Sequence, residues 1–426
     1  MIESLYQHYL RNPKISTDTR KIEEGSLFFA LKGPNFDANK FADEALNKGA
    51  ALCIVDDKSV VKDDRYFLVD DALVALQDLA RHHRKQLTIP IIGLTGSNGK
   101  TTSKELLACV LRQKFNVFAT KGNLNNHIGV ALSMLSINSN HEIAVIEMGA
   151  NFVGDIAFLC TISSPTHGYI TNIGKAHLEG FGGIEGVIRG KSELYHHLIK
   201  HDGVVWINST NEILSNMAKR FKNPLFYPKK GDYYHCEFIS ADPNVLFKAE
   251  NGEEVQTNLI GSYNFENIAT ALCIGKYFDV PATDANKAIA DYIPENNRSQ
   301  VIKKGSNTII LDAYNANPTS MAKALENLNL INAENKVAIL GDMKELGEDS
   351  EKEHKAIGDL LNEYQIKKVY LCGELIKATQ QQADHAKHYQ SVQELIDELK
   401  ANPITNSTVL IKASRSIGLE RVLEAF

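Results

Sequence analysis

The sequence has few cysteines, and none of them is placed for a metal site or a disulfide framework. The six cysteines lie far apart, without a Cys-x-x-Cys pair or a histidine tract beside them. The first residues lack a basic stretch followed by an apolar one, which a secretory signal needs. We therefore expect a protein of the reducing cytoplasm.

Long hydrophobic runs and an excess of positive charge are also missing. No apolar run approaches the roughly 18–20 residues that span a bilayer, so we expect no membrane insertion. The formal net charge is −6, from 46 Lys+Arg against 52 Asp+Glu, and no basic patch stands out. This balance argues against a general nucleic-acid binder. With 43% hydrophobic and 23% charged residues, the composition is typical of a globular protein.

Apolar runs and turn signals divide the 426 residues into segments with different patterns of predicted strands and helices. Up to residue 86, short apolar runs mix with helical patterns, which predicts a small α/β unit. From Ile89, strands alternate with helices, which is typical of a parallel sheet covered by helices. Between Gly203 and about Ile260, turn signals indicate shorter strands and an antiparallel excursion, and the alternation restarts after Arg298. We predict an α/β protein with three domains, at 1–86, 87–298 and 299–426.

The clearest chemical signal is a glycine-rich stretch between an apolar strand and a helix. It reads Gly93-Leu94-Thr95-Gly96-Ser97-Asn98-Gly99-Lys100-Thr101-Thr102. Backbone N–H groups of such a turn can hold phosphates, the lysine can contact the β- and γ-phosphates, and Thr101 can offer its hydroxyl to Mg²⁺. Leu94 stands where the usual motif has its first glycine. The alternative interpretation is a plain glycine-rich turn from strand to helix.

Candidate partners of this stretch follow later strands. Glu147 ends the apolar run that begins at Ile143, where a nucleotide-bound Mg²⁺ needs an oxygen ligand. A solvated glutamate at a strand end is the equal alternative. His177 follows the next strand at the same predicted sheet edge, although a lone histidine is more often structural. Lys191 opens a predicted helix, where a lysine is usually just solvated.

Two asparagine-rich clusters and one strand-end stretch could carry chemistry or could be caps and turns. They are residues 123–126, 263–267 and 312–318. The second cluster opens an alanine-rich helix over 268–276, so capping alone could account for Asn264. Composition does not choose between these interpretations.

These motifs belong to a set that extends over essentially the whole chain. The set also contains Asn125-Asn126-x-Ile128-Gly129, Glu147-Met148-Gly149-Ala150, Ala176-His177-Leu178-Glu179 and Gly341-Asp342-Met343-x-Glu345-Leu346-Gly347. Together the motifs resemble the Mur ligase family, the ATP-dependent amide ligases of bacterial peptidoglycan precursor synthesis. Residues 16–20 and 25–33 are similar to the uridine-nucleotide-binding domain of two family members. The stretch 314–318 and the absence of an Asp-Asn-Pro-Arg motif favour the member that adds D-alanyl-D-alanine.

The resemblance implies a central P-loop ATPase domain with a parallel sheet and a C-terminal Rossmann-like domain. It implies ATP binding by Thr95, Gly96, Ser97, Asn98, Gly99, Lys100, Thr101, Thr102, Asn264, Asn267, Arg298 and Asp312. It implies one Mg²⁺ at Thr101 and Glu147 and a second at His177 and Lys191, the latter carbamylated in the family. The implied catalytic residues are Lys100, Glu147, His177 and Lys191, with Asn315 and Asn317 near the reacting centre.

The uridine-nucleotide substrate is expected to contact Ser16, Thr17, Asp18, Thr19, Arg20, Asn125 and Asn126. One departure lies at Asp37-Ala38-Asn39-Lys40-Phe41, where many relatives have Asp-Gly-His-x-Phe. Replacing the glycine and the histidine could alter the local turn and the contacts to the sugar nucleotide.

The implied reaction joins D-alanyl-D-alanine to UDP-MurNAc-tripeptide. The peptide carboxylate would be activated by the γ-phosphate of ATP as an acyl phosphate, and the dipeptide amine would then attack the acyl carbon. We expect a monomer without a nucleic-acid partner. The alternatives are another Mur-type or folylpolyglutamate-type ligase, or a nucleotide-binding protein that senses the precursor without catalysis. Folylpolyglutamate-type enzymes lack the N-terminal uridine-nucleotide module.

Overall fold

A small parallel sheet forms the N-terminal part of the chain. The computed structural model describes residues 1–294 and 298–426. The elements of this part are α1 (Ile2–Arg11), β1 (Ile15–Ser16), β2 (Leu27–Phe29), β3 (Lys32–Gly33), β4 (Phe36–Asp37), α2 (Ala42–Asn47), β5 (Leu52–Val55), β6 (Tyr66–Leu68) and α3 (Ala72–Gln86). The sheet has the order β1-β2-β5-β6, with parallel pairs throughout, and β3 and β4 form a separate hairpin. Its inner strands β2 and β5 are buried, uninterrupted apolar runs, as expected for parallel strands.

The central part is a larger parallel sheet with helices on both faces, followed by an antiparallel sheet. Its first elements are β7 (Ile91–Thr95), α4 (Lys100–Leu111), β8 (Val117–Ala119), α5 (Gly129–Leu135), β9 (Ile143–Glu147), α6 (Asp155–Ser163), β10 (His167–Ile170), α7 (Leu178–Phe181), α8 (Ile184–Lys200), β11 (Val204–Asn208), α9 (Glu212–Ala218) and β12 (Leu225–Tyr227). The later ones are β13 (Glu237–Ala241), β14 (Asn244–Lys248), β15 (Glu254–Ile260), α10 (Asn264–Tyr277) and α11 (Ala282–Asp291).

The large sheet has the order β12-β11-β10-β7-β9-β8, and its strands are all parallel. The expected antiparallel excursion is present as β13-β14-β15, but its expected start at Gly203 is wrong. Strands β11 and β12 still belong to the parallel sheet, because β11 pairs with β10 and β12 pairs with β11.

The C-terminal part repeats the alternation of strands and helices. Its elements are β16 (Gln300–Lys304), β17 (Asn307–Asp312), α12 (Pro318–Leu330), β18 (Lys336–Gly341), α13 (Ser350–Glu363), β19 (Lys368–Cys372), β20 (Lys387–Tyr389), α14 (Val392–Ala401) and β21 (Thr408–Lys412). The sheet order is β16-β17-β21-β18-β19-β20; β16 runs antiparallel to β17, and the other pairs are parallel. Two 3-10 turns, at Arg415–Ile417 and Leu419–Ala425, follow β21.

The three sheets are held together by shared apolar packing. One core cluster contains Leu27, Ile146 and Leu340, which come from the first, the central and the last sheet. Helix α3 lies between the first two sheets, since Tyr6 of α1 packs on its one side and α5 and α6 pack on the other. The predicted α/β class with a parallel central sheet is confirmed.

The domain limits 1–86, 87–298 and 299–426 stay a prediction. The last limit follows residues 295–297, which lie outside the described residues. Across the described ranges 1–294 and 298–426, a helix with the length and apolar character needed to cross a membrane is not found.

The order of the central sheet determines where the functional groups meet. Strands β10, β7 and β9 are neighbours and point the same way, so their carboxyl ends lie side by side. In open parallel sheets, ligands bind at this edge. The glycine-rich stretch, Glu147 and the loop that carries His177 all follow these three strand ends.

Candidate active site

The turn between β7 and α4 depends on two glycines. Gly96 and Gly99 have φ angles of +147° and +77°, in the region that favours glycine. A Cβ atom on Gly96 would lie 1.9 Å from Thr171 Oγ1, so no other residue fits there without a shift. Leu94 is fully buried in β7. The turn therefore begins after Leu94, which explains why the missing first glycine is not needed.

The loop is fixed by hydrogen bonds to the segment after β10. The backbone N–H groups of Ser97 and Asn98 donate to the backbone oxygen and the side-chain oxygen of Asn172, both at 3.0 Å. Thr171 Oγ1 donates to the backbone oxygen of Asn98 at 2.7 Å. Ser97 Oγ donates to the backbone oxygen of Gly174 at 3.0 Å. The N–H groups at the start of α4 are thereby held in place before any ligand arrives.

Lys100 is the first residue of α4, and its side chain contacts the loop. Its ammonium donates to the backbone oxygen of Gly96 at 2.7 Å. Burial lowers the pKa of Lys100, with the Glu147 carboxylate acting in the opposite direction. A phosphate would replace the weak dipole of a carbonyl by a full negative charge, which a partly buried ammonium binds more strongly.

Glu147 is a buried acid with one oxygen engaged on the cavity side. It is 1% exposed, so the alternative of a solvated strand-end residue is wrong. Oε1 accepts hydrogen bonds from Asn125 Nδ2 at 2.8 Å and from Thr101 Oγ1 at 3.3 Å. Oε2 is buried and has no hydrogen-bond partner among the described residues. The Lys104 ammonium lies 3.9 Å from Oε2.

A carboxylate beside a threonine hydroxyl is a donor set that suits Mg²⁺. Within residues 1–294 and 298–426, no group of three or more His, Cys, Asp or Glu is placed to hold a metal ion. Thr101 and Glu147 therefore fit an ion that takes its remaining oxygens from nucleotide phosphates and water, the usual arrangement for Mg²⁺ in nucleotide-dependent enzymes.

His177 and Lys191 have separate partners in this structure. The Nδ1 atom of His177 forms a hydrogen bond with Glu345 of the C-terminal part. Lys191 lies in the middle of α8 and not at a helix start as expected, and it is 1% exposed, so it is not a solvated lysine. Its ammonium donates to the backbone oxygen of Ala150 at 3.3 Å and lies 5.1 Å from the Phe181 ring centre. Burial, and secondarily Lys100, lower the pKa of Lys191 well below its usual value. A shared metal site for the two residues stays a prediction.

A cavity of about 860 Å³ opens between the central and C-terminal parts. The predicted residues that line it are Ser97, Asn98, Gly99, Lys100, Thr101, Thr102, Asn125, Asn126, Glu147, His177, Asn264, Asn267, Arg298, Asp312, Asn315 and Asn317. Thr95, Gly96 and Lys191 are buried and do not line it. Most of the predicted nucleotide and metal residues thus share one cavity.

The predicted adenosine residues form a polar wall of that cavity. Asn264 is not the cap of α10; its Nδ2 donates to the backbone oxygen of Ile260 at 2.8 Å, and its Oδ1 accepts from Asn267 at 3.0 Å. The Arg298 guanidinium lies 3.7 Å from the centre of the Tyr314 ring. The ring and the guanidinium offer a flat surface of the kind on which a base can stack.

Lys412 and Asn172 belong to the site although the sequence interpretation missed them. Lys412 is 2% exposed and pairs with Asp312 at 2.5 Å. It ends the apolar strand β21, and a lysine at the end of a buried parallel strand was the signal available in the sequence. Asn172 gave no such signal, because its role depends on the contact between two separate loops.

Asn317 caps a helix, as the turn interpretation expects, and it also lines the cavity. Its Oδ1 caps α12 by accepting from the Ser320 N–H at 2.9 Å. Its Nδ2 donates to Asn98 Oδ1 at 2.7 Å, which links the C-terminal part to the glycine-rich loop. Asn315 lines the same wall, and its backbone oxygen accepts a hydrogen bond from Lys412.

The predicted uridine-nucleotide residues 16–20 do not line this cavity. Asp18 caps a 3-10 turn and pairs with Arg20, whose hydrogen bonds lower the pKa of Asp18 to about 2. At the departure from the family pattern, Asn39 is buried and its Nδ2 donates to Asp37 and Asp56, both at 2.8 Å. Asn39 therefore holds the turn together in this chain.

A second, smaller cavity of about 320 Å³ adjoins the first. The two cavities share His177, Asn315 and Asn317. Its wall also carries two cations, Lys344 and Arg415, which pair with Asp342 at 3.0 Å and Glu420 at 3.1 Å. The acid Glu345, which pairs with His177, lies in the same wall.

Comparisons with known proteins agree with the motifs along the whole chain. The models of the Mur ligase family, catalytic domain, the Mur ligase middle domain and the Mur ligase, glutamate ligase domain match residues 14–91, 94–275 and 297–415. The UDP-N-acetylmuramoyl-tripeptide–D-alanyl-D-alanine ligase of Bacillus subtilis (strain 168) is 35% identical over 422 residues, which cover 96% of this chain and 92% of that protein.

Solved structures give the same result. MurF from Acinetobacter baumannii has a TM-score of 0.86 at 31% identity, covering 96% of this chain and 92% of that chain. MurF from Thermotoga maritima in complex with ADP has a TM-score of 0.86 at 32% identity, covering 98% of this chain and 97% of that chain. The resemblance inferred from the motifs is confirmed: the chain belongs to the Mur ligase family.

Proposed function

We propose that the chain is an ATP-dependent amide ligase that joins D-alanyl-D-alanine to UDP-MurNAc-tripeptide, giving UDP-MurNAc-pentapeptide, ADP and phosphate in peptidoglycan precursor synthesis. The observation that carries the proposal is the single cavity in which the glycine-rich loop, Thr101, Glu147 and the C-terminal stretch 312–317 meet. The named activity of the Bacillus subtilis relative and the ADP bound by the Thermotoga maritima relative support it.

The loop residues hold the phosphates of ATP. The backbone N–H groups of the first turn of α4, which have no partner within the helix, face the phosphates. Lys100 leaves the oxygen of Gly96 and contacts the β- and γ-phosphates. Thr101 and Glu147 hold Mg²⁺, which, when bound, offsets the phosphate charge. Asn264, Asn267, Arg298 and Asp312 surround the adenosine.

The chemistry needs the peptide carboxylate to be activated, because a carboxylate is a poor acyl donor to an amine. One carboxylate oxygen attacks the γ-phosphorus, the bond to the β-phosphate oxygen breaks, and ADP leaves. The dipeptide amine then attacks the acyl carbon, the C–O bond to the phosphate breaks, and the amine loses a proton. Lys100 stabilises the charge on the transferring phosphate.

The dipeptide enters through the smaller cavity. D-alanyl-D-alanine carries one carboxylate and one amine, and Lys344 and Arg415 supply positive charge for the carboxylate. Because this cavity shares Asn315 and Asn317 with the larger one, the amine at the other end of the dipeptide lies near the acyl phosphate.

The remaining predicted sites complete the proposal. Residues 16–20 with Asn125 and Asn126 contact UDP-MurNAc-tripeptide, and His177 with a carbamylated Lys191 serves a second Mg²⁺. The protein acts as a monomer in the cytoplasm, where its six free cysteines remain reduced.

The direct test combines phosphate release with the mass of the product. With ATP, Mg²⁺ and UDP-MurNAc-tripeptide, we expect sustained phosphate release only after D-alanyl-D-alanine is added, together with the mass gain of one dipeptide. Incorporation of a different amino acid would refute the substrate but not the ligase class. Binding of the precursor without turnover with any amine would support the sensing alternative.

A further inference from the structure

A second lysine of α4 lies behind the proposed Mg²⁺ ligand. Lys104 is one helical turn after Lys100 and is 3% exposed. It does not line either cavity. Its ammonium lies 3.9 Å from Glu147 Oε2 and 4.0 Å from Glu105 Oε1. This buried cation has no role in the reaction steps described above.

The two oxygens of Glu147 have different surroundings. On the cavity side, Asn125 and Thr101 donate to Oε1. On the inner side, Oε2 has no hydrogen-bond partner among the described residues, and Lys104 is the cation that forms an ion pair with it. The ammonium is thus placed to fix the orientation of the carboxylate from the side away from the ligand.

Thr120 forms hydrogen bonds with both Lys104 and Glu147. Its backbone oxygen accepts a hydrogen bond from the Lys104 ammonium at 2.8 Å, and its Oγ1 accepts one from the Glu147 N–H at 3.0 Å. A lysine fixed in this way cannot move to the cavity without losing the bond to Thr120. Its charge therefore acts on Glu147 and not on the nucleotide directly.

A buried carboxylate is costly unless a cation or hydrogen bonds compensate it. We propose that Lys104 is a positioning residue that holds the Glu147 carboxylate with Oε1 facing the cavity, and so sets the affinity of the nucleotide complex for Mg²⁺. This inference rests on the proposed function, because it assumes that Thr101 and Glu147 bind Mg²⁺ with the nucleotide. The partner of a metal ligand commonly matters nearly as much as the ligand itself.

The test is a titration of Mg²⁺ into the complex with ADP, next to ADP binding in EDTA. For Lys104→Met we expect ADP affinity in EDTA to stay within about twofold of the unaltered protein, while the affinity for Mg²⁺ falls by about 10- to 100-fold. Lys104→Arg should recover most of the loss. Lys336→Met is the matched control, because Lys336 also donates to a backbone oxygen but lies on β18 of the C-terminal part.

Stability provides a second readout that does not need activity. Lys104→Met leaves the Glu147 charge uncompensated, so it should lower Tm, and adding Glu147→Gln should restore most of that loss. If Lys104→Met fails to fold and the double variant folds, the coupling is supported. Additive losses in the double variant would overturn it.

The outcomes also separate this inference from the proposed function. Mg²⁺-dependent ADP binding that is the same in Lys104→Met and in the unaltered protein would overturn the role of Lys104 alone. Equal losses of ADP affinity with and without Mg²⁺ would also overturn it, because they would show a general structural role. No Mg²⁺-dependent ADP binding by the unaltered protein would overturn both.

Discussion

At the scale of single residues, the phosphate-binding turn depends on the missing side chain of Gly96. We expect Gly96→Ala to reduce ADP affinity at least about tenfold and to lower the free energy of unfolding by about 1–3 kcal/mol, because the new Cβ would lie 1.9 Å from Thr171 Oγ1 at a strained φ. Isothermal titration and denaturant unfolding measure both. Gly231→Ala is the control, since Gly231 has φ +95° but open space around it. Unchanged ADP binding by Gly96→Ala would contradict this.

His167 gives a prediction of pH dependence. It lies on β10 against the ring of Trp206, and burial lowers its pKa to about 4. Its pKa in the unfolded chain is about 6.5, so the unfolded state binds more protons between these values. The free energy of unfolding should therefore fall as the pH drops from about 6.5 to 4, by up to about 3 kcal/mol from this residue.

The variant His167→Phe keeps a ring in place and removes the titration. Unfolding by denaturant at several pH values should show a shallower loss of stability between pH 6.5 and 4 than in the unaltered protein. His127→Phe, at an exposed position, is the control. An unchanged pH slope in His167→Phe would show that this histidine does not carry the effect.

At the scale of helices and strands, hydrophobic runs predicted the parallel sheets well. Strand β9 coincides with the apolar run from Ile143 to Glu147. Strands β11 and β12 were harder, because their membership of the parallel sheet depends on a partner strand and not on their own pattern. The loop and Glu147 were found from local motifs, whereas Lys412 and Asn172 join the site only through tertiary contacts.

Helix α3 is the element that joins the first sheet to the central one. Arg84 donates to the backbone oxygens of Ser163, the last residue of α6, and of Ser164, the residue after it, both at 2.9 Å. Arg84→Met leaves these part-buried oxygens without their donor, so we expect a loss of about 1–3 kcal/mol in the free energy of unfolding. Urea denaturation measures it against Lys85→Met, an exposed neighbour on the same helix. Equal stability of the two variants would mean that the contact contributes nothing.

At the scale of the whole molecule, the larger cavity is lined by residues of both the central and the C-terminal parts. Asn98 binds Asn317 at 2.7 Å, and Lys175 pairs with Glu353 at 2.5 Å across the junction. Closing the cavity keeps water from the acyl phosphate. The proposed chemistry therefore needs the two parts to stay together until the amine has reacted.

Weakening the junction should separate ATP use from product formation. In Lys175→Met, the pair with Glu353 is lost, so we expect water to reach the acyl phosphate and the ratio of phosphate to pentapeptide to rise above one. Parallel assays of phosphate and product mass give this ratio. Lys352→Met, at an exposed position of α13, is the control and should keep the ratio at one. A ratio of one in both variants would show that the pair does not protect the intermediate.

The most direct test of the central claim follows the oxygen atoms of the substrate. UDP-MurNAc-tripeptide labelled with ¹⁸O in its terminal carboxylate is incubated with ATP, Mg²⁺, D-alanyl-D-alanine and the protein, and the released phosphate is analysed by mass. Because the carboxylate oxygen that attacks the γ-phosphorus stays with phosphorus when the amine displaces the phosphate, we expect one ¹⁸O atom in each phosphate released. Unlabelled phosphate accompanied by pentapeptide would contradict the acyl-phosphate route, and unlabelled phosphate without pentapeptide would contradict the ligase assignment.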